Sequence, residues 1–497
     1  MPQAPREPDS VPARSLEPEA AAMRERSLLA LDRIVSHLES LPDQPAGYDA
    51  GRVVPAARAL VQEEPPEAGR PFREILDLIF DRAVPESFNA AGPGYMAYIP
   101  GGGLFDSALS EFIAAAVNRY TGVWLAAPLL VELESNVLRW FARIVGYPRQ
   151  ARGILLSGGS LANLTAIHTA RAEKLGERFE DGVILVGEHA HHCIAKAAWI
   201  TGFRADQVVT VPSDEGHRMD LGALETRLAE QRALGRRPFL VVANAGSTDT
   251  GAVDDLAGLA DIAAREALWL HVDGAYGGFF CLTERGRAAL AGIERADSVV
   301  LDPHKSFFLP YGTGALLVRD GEALRRAHHT RAHYMPAFQD EDEDWQRLDF
   351  CEHGPELSRG YRGLGVWLPV TLHGLATFRA SLDEKLDLAR RAAEGIAAIP
   401  GLRVVSPPTL SVLAFRFEPE GLDDEAADHA TQDLLDRVLA RGRVWLTTTR
   451  LLGRLVIRVA VLNFRTHQDR VDEMLETLRE EARALIESEG RGSCTST

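Results

Sequence analysis

The sequence predicts an α/β fold in which a mostly parallel sheet is covered by helices on both faces. From residue 153 onward, short strands alternate with amphipathic helices. The strands are almost continuously aliphatic, which is typical of parallel strands buried on both faces. After about residue 370 the pattern changes to a long helix with fewer strands, which predicts a smaller C-terminal α+β domain.

Each element follows from a local pattern of apolar residues. The strands of the large domain are predicted at 183–186, 208–211, 239–242, 268–272, 298–301 and 315–318. In the small domain we predict a helix at 382–399, strands at 412–417 and 455–459, and helices near 426–441 and 467–487. Ligands of such sheets bind beyond the carboxyl ends of the strands, so we expect the functional residues directly after each strand.

The domain organisation is predicted from composition along the chain. Residues 1–20 are rich in Pro, Glu, Ala and Ser and are expected to be disordered. The helical patterns within 21–100 have too few apolar residues to fold alone, so this segment is expected to pack on a partner subunit or on the main domain. The remaining segments are a large cofactor-binding domain at 101–370, a small α+β domain at 371–489 and a mobile tail at 490–497.

Composition excludes several classes of function. The net charge of −17 argues against nucleic acid and anionic membranes as partners. The four cysteines are scattered without a C-x-x-C pair, which favours neither a disulfide framework nor a zinc site. The sequence has no apolar run long enough to cross a bilayer, and the N-terminus has no signal pattern. A cytoplasmic protein is the expectation.

One lysine lies in an apolar setting. Lys305 follows the predicted strand 298–301 in Asp-Pro-His-Lys-Ser-Phe-Phe, whereas Lys174, Lys196 and Lys385 lie in patterns typical of solvated helix faces. A buried ammonium is costly unless its pKa shifts or the amine reacts. Lys305 is therefore either a lysine whose chain runs along the apolar surface to water or one that forms a Schiff base with an aldehyde cofactor.

A glycine turn precedes the first helix of the sheet region. Ser157-Gly-Gly-Ser160 joins a strand to a helix, and its glycines allow backbone N–H groups and the Ser160 hydroxyl to approach a phosphate. Alone, such a turn is equally typical of a plain connection.

Histidines and a carboxylate follow two other strands. Glu188-His-Ala-His191-His192 lacks a partner at metal-ligand spacing, so we predict no metal site and expect the flat His191 ring to stack on a flat cofactor. Asp273 ends the strand 268–272, where it either caps the next helix or pairs with a protonated ring nitrogen. Gly274 and Ala275 after it leave room for a ring.

Taken along the chain, the glycine turn, His191, Asp273 and Lys305 resemble the motifs of the pyridoxal-phosphate-dependent group II amino-acid decarboxylases. This family includes aromatic-L-amino-acid, glutamate and diaminobutyrate decarboxylases. The resemblance runs from about residue 90 to 375 and implies the type I pyridoxal-phosphate enzyme fold, with a mostly parallel seven-stranded sheet. It implies that Lys305 binds the cofactor aldehyde, that Asp273 pairs with the pyridine nitrogen and that His191 stacks on the ring. The other cofactor contacts it implies are Gly159, Ser160 and Ser298 at the phosphate, Ala275 under the ring, and Thr248 and His304 nearby.

The resemblance also implies a homodimer with shared active sites, acting on a small amino acid. Tyr98, Pro100 and Gly101 match a pocket-lining segment, and Tyr120 and Trp124 match a segment supplied by the partner subunit. This apolar lining favours an aromatic or bulky hydrophobic substrate. An acidic substrate would need an arginine such as Arg359 or Arg362, and Ser358 gives a weak hint of a phenolic one.

The implied reaction is loss of CO2 from the amino acid to leave the amine. Tyr334 matches a tyrosine on a mobile loop and is the expected proton donor at Cα, with His191 as a relay. The alternatives are oxidative decarboxylation and deamination to an aldehyde, a lyase reaction, decarboxylation of an acidic amino acid, or a non-catalytic oligomer partner.

We predict that Tyr334→Phe diverts product from amine to aldehyde and ammonia, because the variant lacks the hydroxyl that protonates Cα. Mass spectrometry of the products measures the ratio. An unchanged amine yield would remove Tyr334 from the mechanism.

Overall fold

The computed structural model describes residues 16–48, 53–55, 57–58, 64–329 and 348–493, with side chains up to residue 488. The chain divides into two compact units, residues 1–89 and 90–497. The first boundary therefore falls eleven residues before the predicted start of the large domain at 101. Tyr334 lies outside the described residues.

The described part of the N-terminal unit includes the helices α1 (Ala20–Ser40) and α2 (Phe72–Leu78). Helix α2 continues into a π-helical turn at Ile79–Ala83. Arg33 of α1 forms an ion pair with Asp81. No residue of α1 is buried in this chain, and the Leu28 side chain is 60% exposed. The predicted helical character of this segment is confirmed, and the described residues leave the apolar side chains of α1 incompletely buried.

The second unit contains a large sheet, in which the described residues form seven strands in the order β1-β7-β6-β5-β4-β2-β3. Strands β2 to β6 run parallel, and β7 is antiparallel to both β6 and β1. The predicted mostly parallel sheet is confirmed. The strands are β1 (Arg152–Leu156), β2 (Gly182–Gly187), β3 (Val208–Val211), β4 (Arg237–Asn244), β5 (Trp269–Asp273), β6 (Ser298–Leu301) and β7 (Gly314–Val318).

Helices cover this sheet and bury its aliphatic side chains in one large core. Aspartates cap several of them: Asp220 accepts a hydrogen bond from Ala223 N, and Asp255 accepts one from Gly258 N. The helices are α3 (Phe105–Val117), α4 (Pro128–Ile144), α5 (Gly159–Lys174), α6 (Cys193–Ile200), α7 (Leu221–Ala233), α8 (Leu256–Arg265), α9 (Glu284–Ala289) and α10 (Gly321–His328).

The strand directions bring distant parts of the chain to one edge. Because β7 is antiparallel to both of its neighbours, β1 runs in the same direction as β6 and the central strands. The carboxyl ends of β1, β2, β4, β5 and β6 therefore meet at one edge of the sheet, and the chemically distinctive residues follow those ends.

The C-terminal region contains a four-stranded antiparallel sheet in the order β10-β11-β9-β8, with its own hydrophobic core. The predictions for β9 and β11 are confirmed, whereas the edge strands β8 and β10 were missed. An edge strand needs fewer apolar residues than a central one, and Thr447–Leu451 is mostly polar. The elements are β8 (Leu402–Ser406), β9 (Val412–Phe417), α12 (Asp424–Ala440), β10 (Thr447–Leu451), β11 (Arg454–Ala460) and α13 (Gln468–Ser493).

Two predicted boundaries are wrong. Helix α11 (Gly363–Ala397) begins well before the predicted 382 and crosses the expected domain boundary at 370/371. Its early part contains Pro369 and breaks at Gly374, where φ is +73°, and such residues normally argue against a helix. Helix α13 runs to Ser493, into the segment 490–497 that was expected to be a tail. Within the parts of the chain described, no helix is long and apolar enough to cross a membrane.

A buried ion pair joins the large sheet region to α11. The side chains of Glu134 and Arg359 are both fully buried, with Nη2 of Arg359 2.5 Å from Oε1 of Glu134. Arg359 also donates to the carbonyl of Leu155 in β1, and Glu134 accepts from Gly363 N. The pair therefore connects α4, β1 and the start of α11.

We predict that Arg359→Leu lowers the free energy of unfolding by about 3–5 kcal/mol, because it leaves the Glu134 carboxylate buried without its cation. Urea unfolding followed by circular dichroism measures the loss. The matched control is Arg227→Leu, which breaks an exposed pair with Glu230 on α7 and should cost less than about 1 kcal/mol. Equal losses in the two variants would contradict this assignment.

Candidate active site

A cavity of about 260 Å³ opens at the carboxyl edge of the large sheet. It is lined by the residues that follow β1, β2, β4, β5 and β6, as the strand directions require. They are Ser157, Gly158, Gly159, Ser160, Leu161, Asn163, His191, Cys193, Thr248, Asp273, Ala275, Tyr276, Asp302, His304 and Lys305.

Lys305 contributes an ammonium group that is stabilised inside the protein. Its Nζ lies 2.9 Å from Oδ2 of Asp302, and a quarter of its side chain remains exposed. Burial favours the neutral amine, but attraction to Asp302 and Asp273 outweighs it and raises the pKa of Lys305. The Lys305 side chain is thus a cation that lines the cavity.

Asp302 is a site residue that was not singled out from the sequence. It is 1% exposed, and its Oδ1 is buried without a hydrogen-bond partner among the described residues. A carboxylate three residues before a buried lysine, directly after a strand, is the signal that could have identified it.

The first turn of α5 faces the same cavity. Its N-cap is Gly158, which supplies no capping side chain, in contrast to the aspartates that cap α7 and α8. A Cβ at Gly159 would lie 2.8 Å from Oδ2 of Asp302, so only glycine allows this close approach. The uncapped N–H groups and the nearby Ser160 form a place where an anion is favoured.

Asp273 lies at the end of β5 and is 8% exposed. Its Oδ1 accepts a hydrogen bond from Ala275 N at 3.1 Å, and its Oδ2 accepts one from Asn163 Nδ2 at 3.1 Å. Both donors are neutral, so the carboxylate retains its negative charge for a partner in the cavity.

His191 also faces the cavity, and its ring is neutral. Burial lowers its pKa, with Asp273 acting in the opposite direction. Its Nδ1 accepts a hydrogen bond from Cys193 N at 3.2 Å, so the proton of the neutral ring is on Nε2. His189, by contrast, pairs with Asp249 at 2.7 Å.

His304 lies next to Lys305 with a different tautomer. Its Nδ1 donates to the carbonyl of Thr313 at 2.6 Å, which leaves Nε2 3.6 Å from Oδ2 of Asp302. Burial lowers the pKa of His304 as well. Thr248 lines the cavity after β4.

Ser298 is the predicted cofactor contact that the structure places elsewhere. It begins β6, at the opposite end of that strand from Lys305, and is fully buried. Its hydroxyl bonds to Trp269 and His271, and it does not line the cavity. The phosphate contact implied for it does not agree with this geometry, because a phosphate at α5 would lie at the other end of β6.

The described lining of the cavity contains none of the predicted substrate residues, although Gly101 packs close to it. A Cβ at Gly101 would lie 2.4 Å from the carbonyl oxygen of His304, so this loop packs directly against the lysine-bearing turn. Pro100 is buried beside it, and Tyr98 is 57% exposed. Tyr120 donates to the carbonyl of Leu357.

Trp124 donates from Nε1 to Glu132 at 3.1 Å. Like Tyr120, it does not line the cavity of this chain. That placement leaves its predicted contribution to a partner's site untested.

One prediction about the other lysines is wrong. Lys385 is fully buried, donating to Glu384 and to the carbonyl of Thr466 at 2.5 Å, with a pKa lowered chiefly by burial. Its charged sequence neighbours suggested a solvated face, but the helix turns its apolar side and this lysine inward. Lys385 lies in α11 and does not line the cavity, so Lys305 keeps its position as the candidate amine.

A second, more open cleft of about 420 Å³ lies away from these groups. Its Arg171 donates to the carbonyl of Thr201 and stacks on Phe179. Its lining is mostly apolar, and Arg171 is already bonded within the protein. The cleft is therefore a poorer candidate for an active site than the lysine-containing cavity.

Fold and cavity together define a pyridoxal-phosphate-type enzyme with a lysine, a carboxylate and an anion-binding helix end in one place. The family model for the pyridoxal-dependent decarboxylase conserved domain matches residues 56–418. The chain belongs to this family of amino-acid decarboxylases. It is therefore a carboxy-lyase that uses pyridoxal phosphate.

Individual relatives agree on the family and differ in substrate. The chain is 33% identical over 465 residues to an aromatic-L-amino-acid decarboxylase of Bacillus atrophaeus, covering 93% of this chain and 95% of the relative. It is 31% identical over 471 residues to an L-2,4-diaminobutyrate decarboxylase of Rhizobium meliloti, covering 93% and 92%. The crystal structure of Oryza sativa TDC with PLP and tryptamine matches with a TM-score of 0.89 at 24% identity, covering 95% of this chain and all of that one.

The residues present fit the cofactor. The ammonium of Lys305 can supply the amine that binds the aldehyde, and the buried, unpartnered Oδ1 of Asp302 marks a polar space that the described residues do not fill. The uncapped end of α5 suits a phosphate, and the space beside Gly159 is closed to a side chain.

We predict that Asp302→Asn allows the Lys305 amine to react with aldehydes at lower pH. Removing one of the two nearby carboxylates lowers the pKa of Lys305, and the neutral amine is the nucleophile. The measurement is borohydride trapping of pyridoxal on the cofactor-free protein across pH, read by peptide mass spectrometry at Lys305.

The control is Asp206→Asn, a change at an exposed position, which should leave that profile in place. A profile unchanged in Asp302→Asn would show that Asp302 does not hold the ammonium.

Proposed function

We propose that this enzyme removes the α-carboxyl group of an aromatic or other bulky hydrophobic L-amino acid as CO2 and releases the amine. The observation that carries the proposal is the convergence of Lys305, Asp273 and the free end of α5 on one cavity at the sheet edge. Family membership supplies the reaction class, and the substrate class is inferred from the groups around the cavity.

Four parts of the chain would hold the cofactor. Lys305 would bind its aldehyde, Asp273 its ring nitrogen, and Gly159 with Ser160 its phosphate, while His191 would stack on the ring and Ala275 would lie against it. When bound, pyridoxal phosphate supplies a cationic ring that accepts the electrons of the broken bond. Asp273 favours that cationic form because it remains an anion hydrogen-bonded only to neutral donors.

The protein must then deliver a proton to Cα of the substrate. We propose Tyr334 as the donor, as the sequence resemblance implies, with His191 as the relay. The neutral His191 ring carries its proton on Nε2, the nitrogen left free by the Cys193 hydrogen bond. That arrangement offers Nε2–H as a hydrogen-bond donor to the group that protonates Cα, while Nδ1 stays bound to the backbone and fixes the ring.

Two arginines that could bind an acidic substrate already form ion pairs inside the protein, which supports a hydrophobic substrate. Arg359 is fully buried and bound to Glu134, and Arg362 makes a bidentate contact with Glu356 at 2.7 and 2.9 Å. A substrate carboxylate would have to compete with these buried or partly buried partners. The segment of Tyr98 and Pro100, which leads into the contact of Gly101 with the lysine-bearing turn, favours apolar contacts instead.

We also propose a homodimer with shared active sites, in which Tyr120 and Trp124 reach the cavity of the partner. Apolar side chains left exposed on this chain support it, including Phe112 at 61% and Leu129 at 81%. The cytoplasmic location predicted from composition stays a prediction.

We predict that the purified protein with pyridoxal phosphate releases CO2 from aromatic L-amino acids more than tenfold faster than from glutamate or aspartate. A panel of the standard amino acids, their hydroxylated forms and 2,4-diaminobutyrate is assayed for CO2, with amine and aldehyde products separated by mass spectrometry. Lys305→Ala is the inactive control, since it lacks the amine that binds the cofactor.

Each result distinguishes the proposal from a specific alternative. A preference for acidic substrates or diaminobutyrate would overturn the substrate class, and aldehyde as the main product would overturn simple decarboxylation. CO2 release by Lys305→Ala at the wild-type rate would overturn the role of the cavity.

A further inference from the structure

Strand β5 presents three polar side chains on one face. Because side chains alternate along a strand, Trp269, His271 and Asp273 point to the same side of the sheet. All three are buried, with exposures of 5%, 0% and 8%. Buried polar groups require partners. Trp269 and His271 find theirs in the side chains of Ser298 and Asn163.

The direction of the first hydrogen bond is fixed by chemistry. The indole Nε1–H of Trp269 can only donate, and it lies 2.8 Å from Oγ of Ser298, so Ser298 accepts there. Nδ1 of His271 lies 2.8 Å from the same Oγ. The Ser298 hydroxyl keeps its own proton available for Nδ1, and the other end of the chain of hydrogen bonds decides the direction.

The remaining bonds follow in one direction. His271 is neutral, because burial lowers its pKa to about 4, so only one of its ring nitrogens carries a proton. The Asp273 carboxylate can only accept, so the Asn163 amide nitrogen faces it and Oδ1 of Asn163 faces Nε2 of His271 at 2.7 Å. That oxygen must accept, so the ring proton is on Nε2 and the Ser298 hydroxyl donates to Nδ1. The amide nitrogen of Asn163 is then directed at Oδ2 of Asp273, 3.1 Å away.

We propose that Trp269, Ser298, His271 and Asn163 form a positioning chain that presents Asp273 as an oriented anion to the ring nitrogen of the cofactor. This rests on the role of Asp273 in the proposed function. It also gives Ser298 a role at the opposite end of β6 from the lysine. A donor fixed on Oδ2 favours the charged carboxylate and holds the plane of the group.

The chain acts through orientation and hydrogen bonding rather than through charge. Lys305, Asp302 and His191 are the charged or titratable groups of the cavity that act on this region, and they lie outside the chain of hydrogen bonds. Asn163 Nδ2 also lies 3.3 Å from Sγ of Cys193, whose pKa burial raises to about 12, so the thiol is a neutral neighbour. Every linking residue is neutral and at least 95% buried, so solvent does not offer alternative partners.

The test compares two ligands that differ at one atom. Pyridoxal phosphate has the ring nitrogen that Asp273 would bind, and its analogue with CH in place of that nitrogen does not. Dissociation constants for both are measured by equilibrium dialysis with cofactor-free protein, so the readout is independent of activity. The wild-type protein is expected to prefer pyridoxal phosphate.

Ser298→Ala is expected to reduce that preference about fivefold, because His271 loses the donor that fixes its tautomer. Asn163→Ala removes the last link and is expected to reduce it at least as much, and it decides the question if Ser298→Ala does not fold. The matched control is Thr165→Val on the same helix as Asn163. This change removes a buried hydroxyl that donates to Leu161, and the preference should remain at the wild-type value.

The outcomes separate this inference from the proposed function. A preference retained in both variants, or an equal loss of affinity for both ligands, would overturn the positioning chain while Asp273 keeps its role. A wild-type protein with no preference would overturn the Asp273 contact itself, and the positioning chain with it.

Discussion

The ion pair between Lys305 and Asp302 is the interaction on which the site depends. A lysine at the end of a buried strand would otherwise lose its charge, since desolvation disfavours the ammonium. Asp302 supplies the compensating charge 2.9 Å away, and Asp273 adds to it from the neighbouring strand. The protein thereby keeps the Lys305 amine protonated, next to the place where a cofactor would bind.

This arrangement is possible because the sheet collects its strand ends at one edge. The reversal at β7 lets β1 run parallel to strands far from it in sequence, so the turn after β1 reaches the turns after β5 and β6. Gly159 and Asp302 consequently approach so closely that a side chain at residue 159 would collide. The glycine turn after β1 and the lysine segment after β6 therefore pack directly against each other.

Much of the fold and site could be predicted from the sequence, because buried parallel strands appear as apolar runs and their ends are easily located. The edge strands β8 and β10 could not, since they need little apolar character. The start of α11 was hidden by Pro369 and Gly374, and the burial of Lys385 by its charged neighbours. Side-chain partners depend on packing between distant segments.

The same limit applies to single residues of the site. The resemblance implied a phosphate contact for Ser298, whereas its hydroxyl bonds to His271 along the sheet. Asn163 was not predicted as a site residue, although its amide is the group that reaches Asp273. A position in sequence identifies a candidate, and the hydrogen bonds it makes decide what it does.

The contact between Gly101 and the backbone of His304 has an evolutionary consequence. Any side chain at residue 101 would have to displace the carbonyls of His304 and Lys305, and so would move the reactive amine. Selection for a new substrate therefore has little freedom at this position while the backbone keeps this path. Divergence in specificity would have to arise at positions with room for another side chain, and the exposed Tyr98 of the same loop is one of them.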